Sequence, residues 1–247
     1  MISIIIATFN AELELQKTID SIRWQLFKNY ELIIIDGYSS DNTVNIIKSN
    51  SDIVSFYVSE PDLGLYDAWN KGIKVAKGEW ICFLGAGDTL NSDALQRYYN
   101  LILNINSKID YISAKINRVD ENGQILTTSG QKWIWSEFKK NMTVAHVGSL
   151  HSKTLFLENG YFDLNYKICA DYELLLRKKS ELKCLFLDYV IGNMPIGGVS
   201  FSTNALFESA KAKKLTAQES WHRVIFQFII QFFLFKTFKI RHKINKK

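Results

Sequence analysis

The sequence predicts an α/β fold in which helices cover a mostly parallel central sheet, followed by a helical C-terminal extension. Up to about residue 107, short apolar runs alternate with segments of helical periodicity, the pattern of successive βαβ units. From residue 111 the pattern changes to strand-like runs broken by turn residues. The last 25 residues combine an aromatic, apolar run with a basic end. These three observations predict a Rossmann-like half, a smaller second half and a terminal extension.

Four strands are predicted in the first half, at residues 2–7, 31–36, 54–59 and 80–84. Their nearly continuous apolar character is typical of parallel strands that are buried on both faces. Helices are predicted near residues 12–25, 41–48, 65–76 and 92–105. In the first of these helices Leu15, Ile19 and Ile22 recur at helical spacing, and Asn10 is an expected N-cap.

The second half is predicted to add a hairpin, a helix and a further strand. The turn sequence Asp120-Glu121-Asn122-Gly123 predicts the hairpin. A helix follows at residues 170–179 and a strand at 184–191. No repeat or Pro-rich linker separates the halves, so we expect one domain over residues 1–200. Within it, residues 1–107 form a nucleotide half and 108–200 an acceptor half, and residues 201–247 form the helical extension.

Composition excludes several classes of protein. Hydrophobic residues make up 47% of the 247, enough for a sizeable core. The net charge is +5, yet six Lys or Arg residues lie within positions 236–247, so the rest of the chain is close to neutral. A nucleic-acid binder usually carries its positive charge over a folded face, so nucleic acid is not an expected partner. Three cysteines without paired spacing predict neither disulfides nor a zinc site, which suits a reducing cytoplasm.

Polar residues follow the predicted strands where ligands of parallel sheets bind, beyond the carboxyl ends. Thr8, Phe9 and Asn10 follow the first strand in place of a G-x-G-x-x-G fingerprint, which argues against a dinucleotide-dependent dehydrogenase. Asp36 ends the second strand and can accept hydrogen bonds from a nucleobase or ribose. A plain turn residue is the alternative for Asp36, and Asp41 reads best as a helix cap.

Two further segments add polar groups to the same edge. The helix after the third strand carries Asp67, Asn70 and Lys71 within one turn, and its N-terminus is suited to an anion. A solvated helix start is the alternative reading. The fourth strand runs into Gly85, Gly87 and Asp88, so a lone carboxylate lies where a metal-bound phosphate would be presented, unless it only caps the next helix.

Taken together, these segments resemble family 2 glycosyltransferases of the GT-A fold, especially bacterial members that build capsule, O-antigen or exopolysaccharide. Relatives carry a P-T-Y-N-like turn after the first strand, matched here by Ala7-Thr8-Phe9-Asn10. They continue with D-G-x-S-x-D-x-T, matched by Asp36 to Thr43, and D-x-G-x-x-D-A-x-N-x-G, matched by Asp62 to Gly72. The resemblance extends from Ile2 to about Gly198, and the order and spacing of the motifs make it specific.

The resemblance implies which residues bind the donor and the metal. The D-x-D metal motif of the family falls on Ala86-Gly87-Asp88, where Gly87 stands in the place of a second Asp. Asp88 is therefore implied to hold Mg²⁺ or Mn²⁺ with the help of phosphates and water. His146 is a further candidate for the metal, the diphosphate or the acceptor, with a structural histidine as the alternative. The implied nucleotide-sugar site comprises Thr8, Phe9, Asn10, Asp36, Asp67, Asn70, Lys71, Ala86 and Gly87.

The catalytic base implied by the resemblance is Asp171, in the segment Ile168-Cys169-Ala170-Asp171-Tyr172-Glu173. From the sequence alone Asp171 could equally be an N-cap, and Glu173 is a rival base. With these roles, the resemblance implies an inverting transfer of a sugar from a nucleoside diphosphate sugar, most simply a UDP-sugar, to a hydroxyl of a lipid-linked glycan. A noncatalytic nucleotide-sugar-binding subunit and a sugar-nucleotide pyrophosphorylase are the alternatives.

The C-terminal extension predicts contact with a membrane surface. The apolar run at residues 224–235 is shorter than the roughly 20 residues that span a bilayer. Gln227 and Gln231 form a narrow polar stripe on it. Such a helix beside clustered cations is typical of an interfacial anchor on anionic lipid, here on the inner face of the cell membrane. The alternative is a helix docked on the core or on a partner subunit. The cations are Lys236, Lys239, Arg241, Lys243, Lys246 and Lys247.

Overall fold

The computed structural model describes residues 1–198 and 202–241, so Lys243, Lys246 and Lys247 of the predicted anchor lie outside the described residues. The strands are β1 (Ile2–Thr8), β2 (Tyr30–Asp36), β3 (Val54–Ser59), β4 (Trp80–Gly85), β5 (Thr89–Leu90), β6 (Tyr111–Val119), β7 (Ile125–Ser129), β8 (Leu150–Ser152) and β9 (Cys184–Pro195). The helices are α1 (Leu15–Arg23), α2 (Thr43–Ser49), α3 (Leu65–Val75), α4 (Ala94–Ile102), α5 (Trp135–Phe138), α6 (Lys153–Asn159), α7 (Ala170–Arg177), α8 (Thr203–Leu215) and α9 (Trp221–Arg241).

All of these strands belong to one mixed sheet, in the order β3-β2-β1-β4-β8-β6-β9-β5, with β7 paired to β6. Strands β1 to β4 form the parallel part of the sheet. Strand β8 is antiparallel to both β4 and β6, and β9 runs parallel to β6. The predicted α/β architecture is confirmed. Hydrogen bonding continues without a break from the predicted nucleotide half into the predicted acceptor half.

Most predicted elements lie where the sequence puts them, with shifts at their ends. The hairpin turn is present, since Asp120 Oδ1 accepts hydrogen bonds from the amides of Asn122 and Gln124. The expected N-cap of α1 is wrong. The helix starts at Leu15 after Glu14, because Asn10 has a left-handed φ of 46° and its side chain bonds to the neighbouring loop.

The sheet separates two apolar clusters. Side chains of alternate residues in β1 enter opposite clusters, with Ile4 and Ile6 on the side of α1 and Ile5 on the side of α3 and α7. Helix α3 lies so close to the sheet that a Cβ on Gly72 would come within 2.5 Å of Ile5. Glycine at this point of the D-x-G-x-x-D-A-x-N-x-G motif therefore sets the approach of the helix to the site edge.

Helix α9 packs against α8 with its polar stripe turned inward. Lys213 Nζ donates to Gln231 Oε1 at 3.2 Å, and Gln231 Nε2 donates to the carbonyl of Lys140 at 2.9 Å. The opposite face exposes large apolar side chains. Within the described part of the chain, no helix combines the length and apolar character needed to cross a membrane. The exposed apolar face consists of Trp221, Ile225, Phe226, Ile229, Ile230, Phe233 and Leu234.

Candidate active site

The carboxyl ends of the parallel strands are aligned at one edge of the sheet. Thr8 pairs with Asp36, Ala7 with Gly85, and Asp36 with Ser59. The loops that follow β1, β2, β3 and β4 therefore leave the sheet side by side. This edge is where ligands of open parallel sheets bind.

The loops after β1 and β2 are joined to each other through Asn10. Its amide donates to Ser39 Oγ at 2.8 Å, and its Oδ1 accepts from the amide of Ser40 at 2.9 Å. Phe9 is 64% exposed and Tyr38 is 67% exposed, with a left-handed φ of 69° at Tyr38. The two loops thus present exposed aromatic rings at the site edge, a surface suited to stacking a nucleobase.

Asp36 has no exposed surface, and its carboxylate is used within the protein. It accepts from the amide of Ser39 at 2.9 Å, from Ser39 Oγ at 2.5 Å and from Ser59 Oγ at 2.6 Å. Asp36 therefore shapes the loop that carries Tyr38. Its predicted contact with a nucleobase or ribose stays a prediction. Thr8 beside it is also buried, and its hydroxyl has no hydrogen-bond partner among the described residues.

The polar residues at the start of α3 hold the preceding loop onto the helix. Asp67 Oδ2 accepts from the amide of Leu63 at 3.0 Å, and Lys71 Nζ donates to the carbonyl of Pro61 at 2.9 Å. Asn70 is buried and forms two bonds with the backbone of Phe162, at 2.9 and 3.0 Å. The solvated-start alternative is therefore wrong for Asn70. The predicted donor contacts of all three residues stay predictions.

Asp88 lies just beyond β4 and is 8% exposed. One carboxylate oxygen accepts from the amide of Gly85 at 2.8 Å, so Asp88 folds back onto the strand end instead of capping α4. Burial raises the pKa of the Asp88 carboxyl to about 7, although the hydrogen bond from Gly85 acts in the opposite direction. A cation beside this group would favour its ionised form.

Gly87 has a φ of 100°, a conformation that glycine adopts far more readily than other residues. A Cβ at this position would lie 3.6 Å from Glu14 Oε2 and 3.5 Å from Pro195 Cγ. An aspartate here would be strained, and its carboxylate would approach that of Glu14. The loop is thus built around a glycine where many relatives of the family have an acid.

We expect Gly87→Asp to destabilise the protein by about 1–2 kcal/mol, because the left-handed conformation disfavours a side chain. The variant should not gain affinity for Mn²⁺, although it adds a second acid directly before Asp88, because the backbone there has the wrong geometry for a side chain. Thermal unfolding and Mn²⁺ titration in the presence of UDP measure the two effects. Gly87→Ala is the matched control for strain without charge. Tighter Mn²⁺ binding by Gly87→Asp at unchanged stability would contradict this account.

Asp171 lies in the first turn of α7, where the helix dipole favours a negative charge. Its Oδ1 accepts from the amide of Tyr172 at 2.9 Å, and the N-cap position belongs to Cys169. The hydroxyl of Tyr66 lies 2.9 Å from Asp171 Oδ1 and 2.6 Å from the carbonyl oxygen of Ile168, so its hydrogen has two acceptors. Burial raises the pKa of Tyr66, which keeps the phenol protonated as a donor.

The carboxylate of the rival base Glu173 forms an ion pair with Arg177. Its carboxylate accepts from Arg177 Nε at 2.9 Å and from Thr216 Oγ1 at 3.0 Å, and it is 6% exposed. Glu173 therefore links α7 to the chain after α8. Asp171 remains the half-exposed carboxylate of the pair.

The loop before Asp171 is held by a residue from the C-terminal extension. The carboxylate of Glu208 on α8 accepts from the amides of Lys167, Ile168 and Cys169 at 2.9, 2.8 and 3.0 Å. Neither Glu208 nor Tyr66 stood out in the sequence. Tyr66 lies inside a recognised motif, whereas Glu208 is about 40 residues from the loop that it holds, so no local pattern points to it.

His146 packs within the aromatic cluster under the site. Its ring stacks on Trp69 at 5.1 Å and Phe83 at 5.7 Å, and it lies 4.9 Å from the ring of His151. Burial lowers the pKa of His146, and the charge of Asp171 opposes this shift. Its contacts with Trp69 and Phe83 place His146 against the cluster that also packs α3 and α7. Within the part of the chain that the structure describes, Nε2 of His146 has no hydrogen-bond partner.

A divalent cation fits the edge at Asp88 only with ligands from outside the protein. Among residues 1–198 and 202–241, no three His, Cys, Asp or Glu side chains are grouped for metal binding. Asp88 offers one carboxylate with an oxygen that is not engaged by Gly85. Mg²⁺ and Mn²⁺ accept one protein carboxylate when phosphates and water complete the shell. The donor set thus fits a metal that arrives with a diphosphate.

Comparisons with known proteins agree with this geometry. The family model described as "Glycosyl transferase family 2" matches residues 3–156. A "PGL/p-HBAD biosynthesis glycosyltransferase" of Mycobacterium bovis is 30% identical over 187 residues, covering 72% of this chain and 69% of the relative. The "poly(ribitol-phosphate) beta-N-acetylglucosaminyltransferase TarP" of Staphylococcus aureus is 39% identical over 104 residues, 40% of this chain and 32% of TarP.

Solved structures show the same fold. Residues 1–349 of S. aureus TarS, crystallised with UDP-GlcNAc, superpose with a TM-score of 0.72 at 19% identity, covering 99% of this chain and 76% of that one. In another TarS structure the matched part is 42% of the crystallised chain. The GT-A fold expected from the resemblance is confirmed. The family match and the mycobacterial relative together show that the chain belongs to glycosyl transferase family 2.

Proposed function

We propose that the chain is an inverting glycosyltransferase that moves a sugar from a UDP-sugar to a hydroxyl of a lipid-linked glycan in the synthesis of a bacterial surface polysaccharide. The observation that carries this proposal is that Asp88, after β4, and Asp171, which contacts Tyr66 at the start of α3, are two carboxylates in different environments. Asp88 is buried at the end of β4, whereas Asp171 is half-exposed on α7 and oriented by Tyr66. The UDP-GlcNAc bound to TarS and the polymer named for TarP support the classes of donor and acceptor.

The chain's own residues supply orientation and proton transfer. Asp171 accepts the proton of the acceptor hydroxyl as its oxygen attacks the anomeric carbon. The bond from that carbon to the diphosphate oxygen breaks, and UDP leaves with the electron pair. One displacement inverts the configuration. Asp88 would hold Mg²⁺ or Mn²⁺, which neutralises the charge that develops on the leaving diphosphate. No nucleophilic side chain is required.

A donor screen tests this function. The full chain is incubated with UDP-, GDP- and dTDP-sugars, Mn²⁺ and a bacterial lipid extract, and the released nucleoside diphosphate is measured. We expect release from at least one UDP-sugar and incorporation of its sugar into the lipid fraction. Binding of UDP without turnover of any donor would favour a noncatalytic subunit, the alternative that the glycine at position 87 suggests.

Tyr66→Phe is expected to lower kcat about tenfold with little change in the KM for the donor. The buried phenol donates to Asp171 Oδ1 and orients the carboxylate toward the acceptor. Initial rates at varied donor and acceptor concentrations separate kcat from the two KM values. A merely structural role would lower the melting temperature and leave kcat per folded molecule unchanged.

We further propose that the exposed apolar face of α9 lies on the anionic inner surface of the cell membrane. A face of seven large apolar side chains is costly in water, and apolar patches of this kind mark contact surfaces. His222 and Arg223 lie between Trp221 and Ile225 at the start of the face and are exposed, and the exposed Lys236 follows its end. The helix is held to the body through Gln231, so the apolar side is the one left for lipid.

Phe226→Glu combined with Phe233→Glu should abolish flotation with vesicles that contain phosphatidylglycerol. Both rings lie on the exposed face, at 66% and 65% exposure, so the charges should not perturb the core. Leu103→Glu, at the exposed C-cap position of α4, is the matched control and should float as the wild type does. A changed oligomeric state of the double variant with unchanged flotation would instead assign the face to a second subunit.

A further inference from the structure

A row of polar side chains crosses four strands directly beside the Asp88 loop. The strand register pairs Thr89 with Asn193, Asn193 with Asn117, and Asn117 with Thr128. Directly paired residues of neighbouring strands point to the same face of a sheet. These four side chains, one each from β5, β9, β6 and β7, therefore form one line, the polar row.

The row is ordered by its own hydrogen bonds. Thr128 Oγ1 donates to Asn117 Oδ1 at 2.9 Å, and Asn117 Nδ2 donates to Asn193 Oδ1 at 3.2 Å. Asn193 Nδ2 lies 3.5 Å from Thr89 Oγ1. Each side-chain amide has two donor hydrogens and an oxygen with two lone pairs, so each keeps capacity for a ligand. None of the four side chains is buried.

The polar row lies on the sheet face that carries the predicted base. Leu90 packs in the cluster on the side of α1, so its neighbour Thr89 on β5, and with it the row, points to the opposite face, which is the one covered by α3 and α7. Helix α7 presents Asp171 in its first turn. At the other end, Thr89 follows Asp88 in the chain. The row therefore begins beside the predicted diphosphate site and continues across the face on which the base lies.

The side chains of the polar row are suited to binding the hydroxyl groups of a ligand. Its members are amides and hydroxyls, which donate and accept hydrogen bonds without carrying charge. The charged residue next along this face of β6, Lys115, is ion-paired with Asp188. Sugar and polyol hydroxyls likewise both donate and accept, whereas a phosphate would call for cations. A neutral, hydroxyl-rich ligand matches the polar row best.

We propose that the polar row is a subsite for the acceptor, binding a glycan or polyol segment of it through Asn117, Asn193 and Thr128. This inference rests on the proposed transferase function and adds the place where the acceptor lies. The alternative is a ladder that only stabilises the pairing of the strands. The two readings differ in whether a ligand contact is lost when one side chain is shortened.

The test uses Asn193→Ala and a matched pair on β7. Thr128→Ala removes a hydroxyl from the row, whereas Thr127→Ala removes the same group from the adjacent residue, which points to the opposite face. Binding of ribitol and of p-nitrophenyl glycosides of hexoses and N-acetylhexosamines is measured by saturation-transfer NMR in the presence of UDP. Acceptor KM, donor KM and hydrolysis of the donor in the absence of acceptor are measured with the substrates found in the donor screen.

We expect Asn193→Ala to weaken acceptor binding at least tenfold and Thr128→Ala to weaken it severalfold, with Thr127→Ala unchanged. Donor KM, donor hydrolysis and melting temperature should stay at wild-type values in all three. Equal effects of Thr127→Ala and Thr128→Ala, an unchanged Asn193→Ala, or no binding of any probe to the wild type would overturn the proposal. If the wild type hydrolyses none of the donors, that result counts against the transferase function alone, because binding of the probes tests the polar row independently.

Discussion

Asp171→Asn is expected to reduce sugar transfer about 10²–10⁴-fold, the range by which general bases accelerate proton transfer. The amide is nearly the same size as the carboxylate and can still accept from the amide of Tyr172 and from Tyr66. It cannot take up the acceptor proton. The fold and the donor site should therefore stay intact. Initial rates at saturating donor and acceptor measure the effect, with UDP affinity in Mn²⁺ measured by calorimetry.

The control is Glu173→Gln, which removes a charge from the same helix. Glu173 is buried against Arg177 and Thr216, so its replacement should lower the melting temperature by several degrees. Activity per folded molecule should remain within a few fold of the wild type. Activity retained by Asp171→Asn and lost by Glu173→Gln would reverse the two assignments.

Asp88→Asn should lower the affinity for UDP-sugar in Mn²⁺ at least a hundredfold, because one neutral amide replaces the metal's protein carboxylate. Affinity measured without metal should change little. Calorimetric titration with and without Mn²⁺ measures the two affinities separately. A metal response equal to that of the wild type would remove Asp88 from the donor site.

The same variant should be more stable than the wild type in metal-free buffer at pH 8. The folded-state pKa of Asp88 is about 7, against an ordinary value of 3.8, so folding favours the protonated carboxyl. The associated stability is fully present below pH 3.8 and is lost as the pH rises through 7. Over the whole range from pH 3.8 to pH 7 the loss corresponds to about 4 kcal/mol as an upper limit. Between pH 5 and pH 8 the wild type should lose about 2–3 kcal/mol of its free energy of unfolding from this group, and Asp88→Asn should not show this loss.

The parallel half of the fold could be predicted from the sequence because its signals are local. Apolar runs such as residues 80–84 define buried strands, and the helical spacing of Leu15, Ile19 and Ile22 defines a helix face. The order of β8, β6, β9 and β5 depends on pairings between distant segments, for which the chain carries no local mark. Short β8, only three residues long, falls below what periodicity can indicate.

The site was predicted in its location more fully than in its contacts. Asp36 ends β2 and Asp88 follows the end of β4 in the next loop, as expected, because the ends of apolar runs mark the edge of a parallel sheet. The burial of Asp36 depends on Ser59, which belongs to another strand. The orientation of α9 likewise depends on Lys140 and Lys213, which are distant in sequence. The polar stripe of α9 could be predicted from the sequence, whereas the direction in which this stripe faces could not.

The contact between Glu208 and the loop before α7 limits how the enzyme can be shortened. A chain that ends near residue 200 would match the motif-bearing part of the family but would leave three loop amides without their acceptor. We expect such a protein to bind nucleotide and to turn over poorly. Ending the chain after Thr216 keeps both Glu208 and the hydroxyl that donates to Glu173, while removing α9 and its exposed apolar face. Crystallisation and inhibitor screening are therefore best started from that boundary.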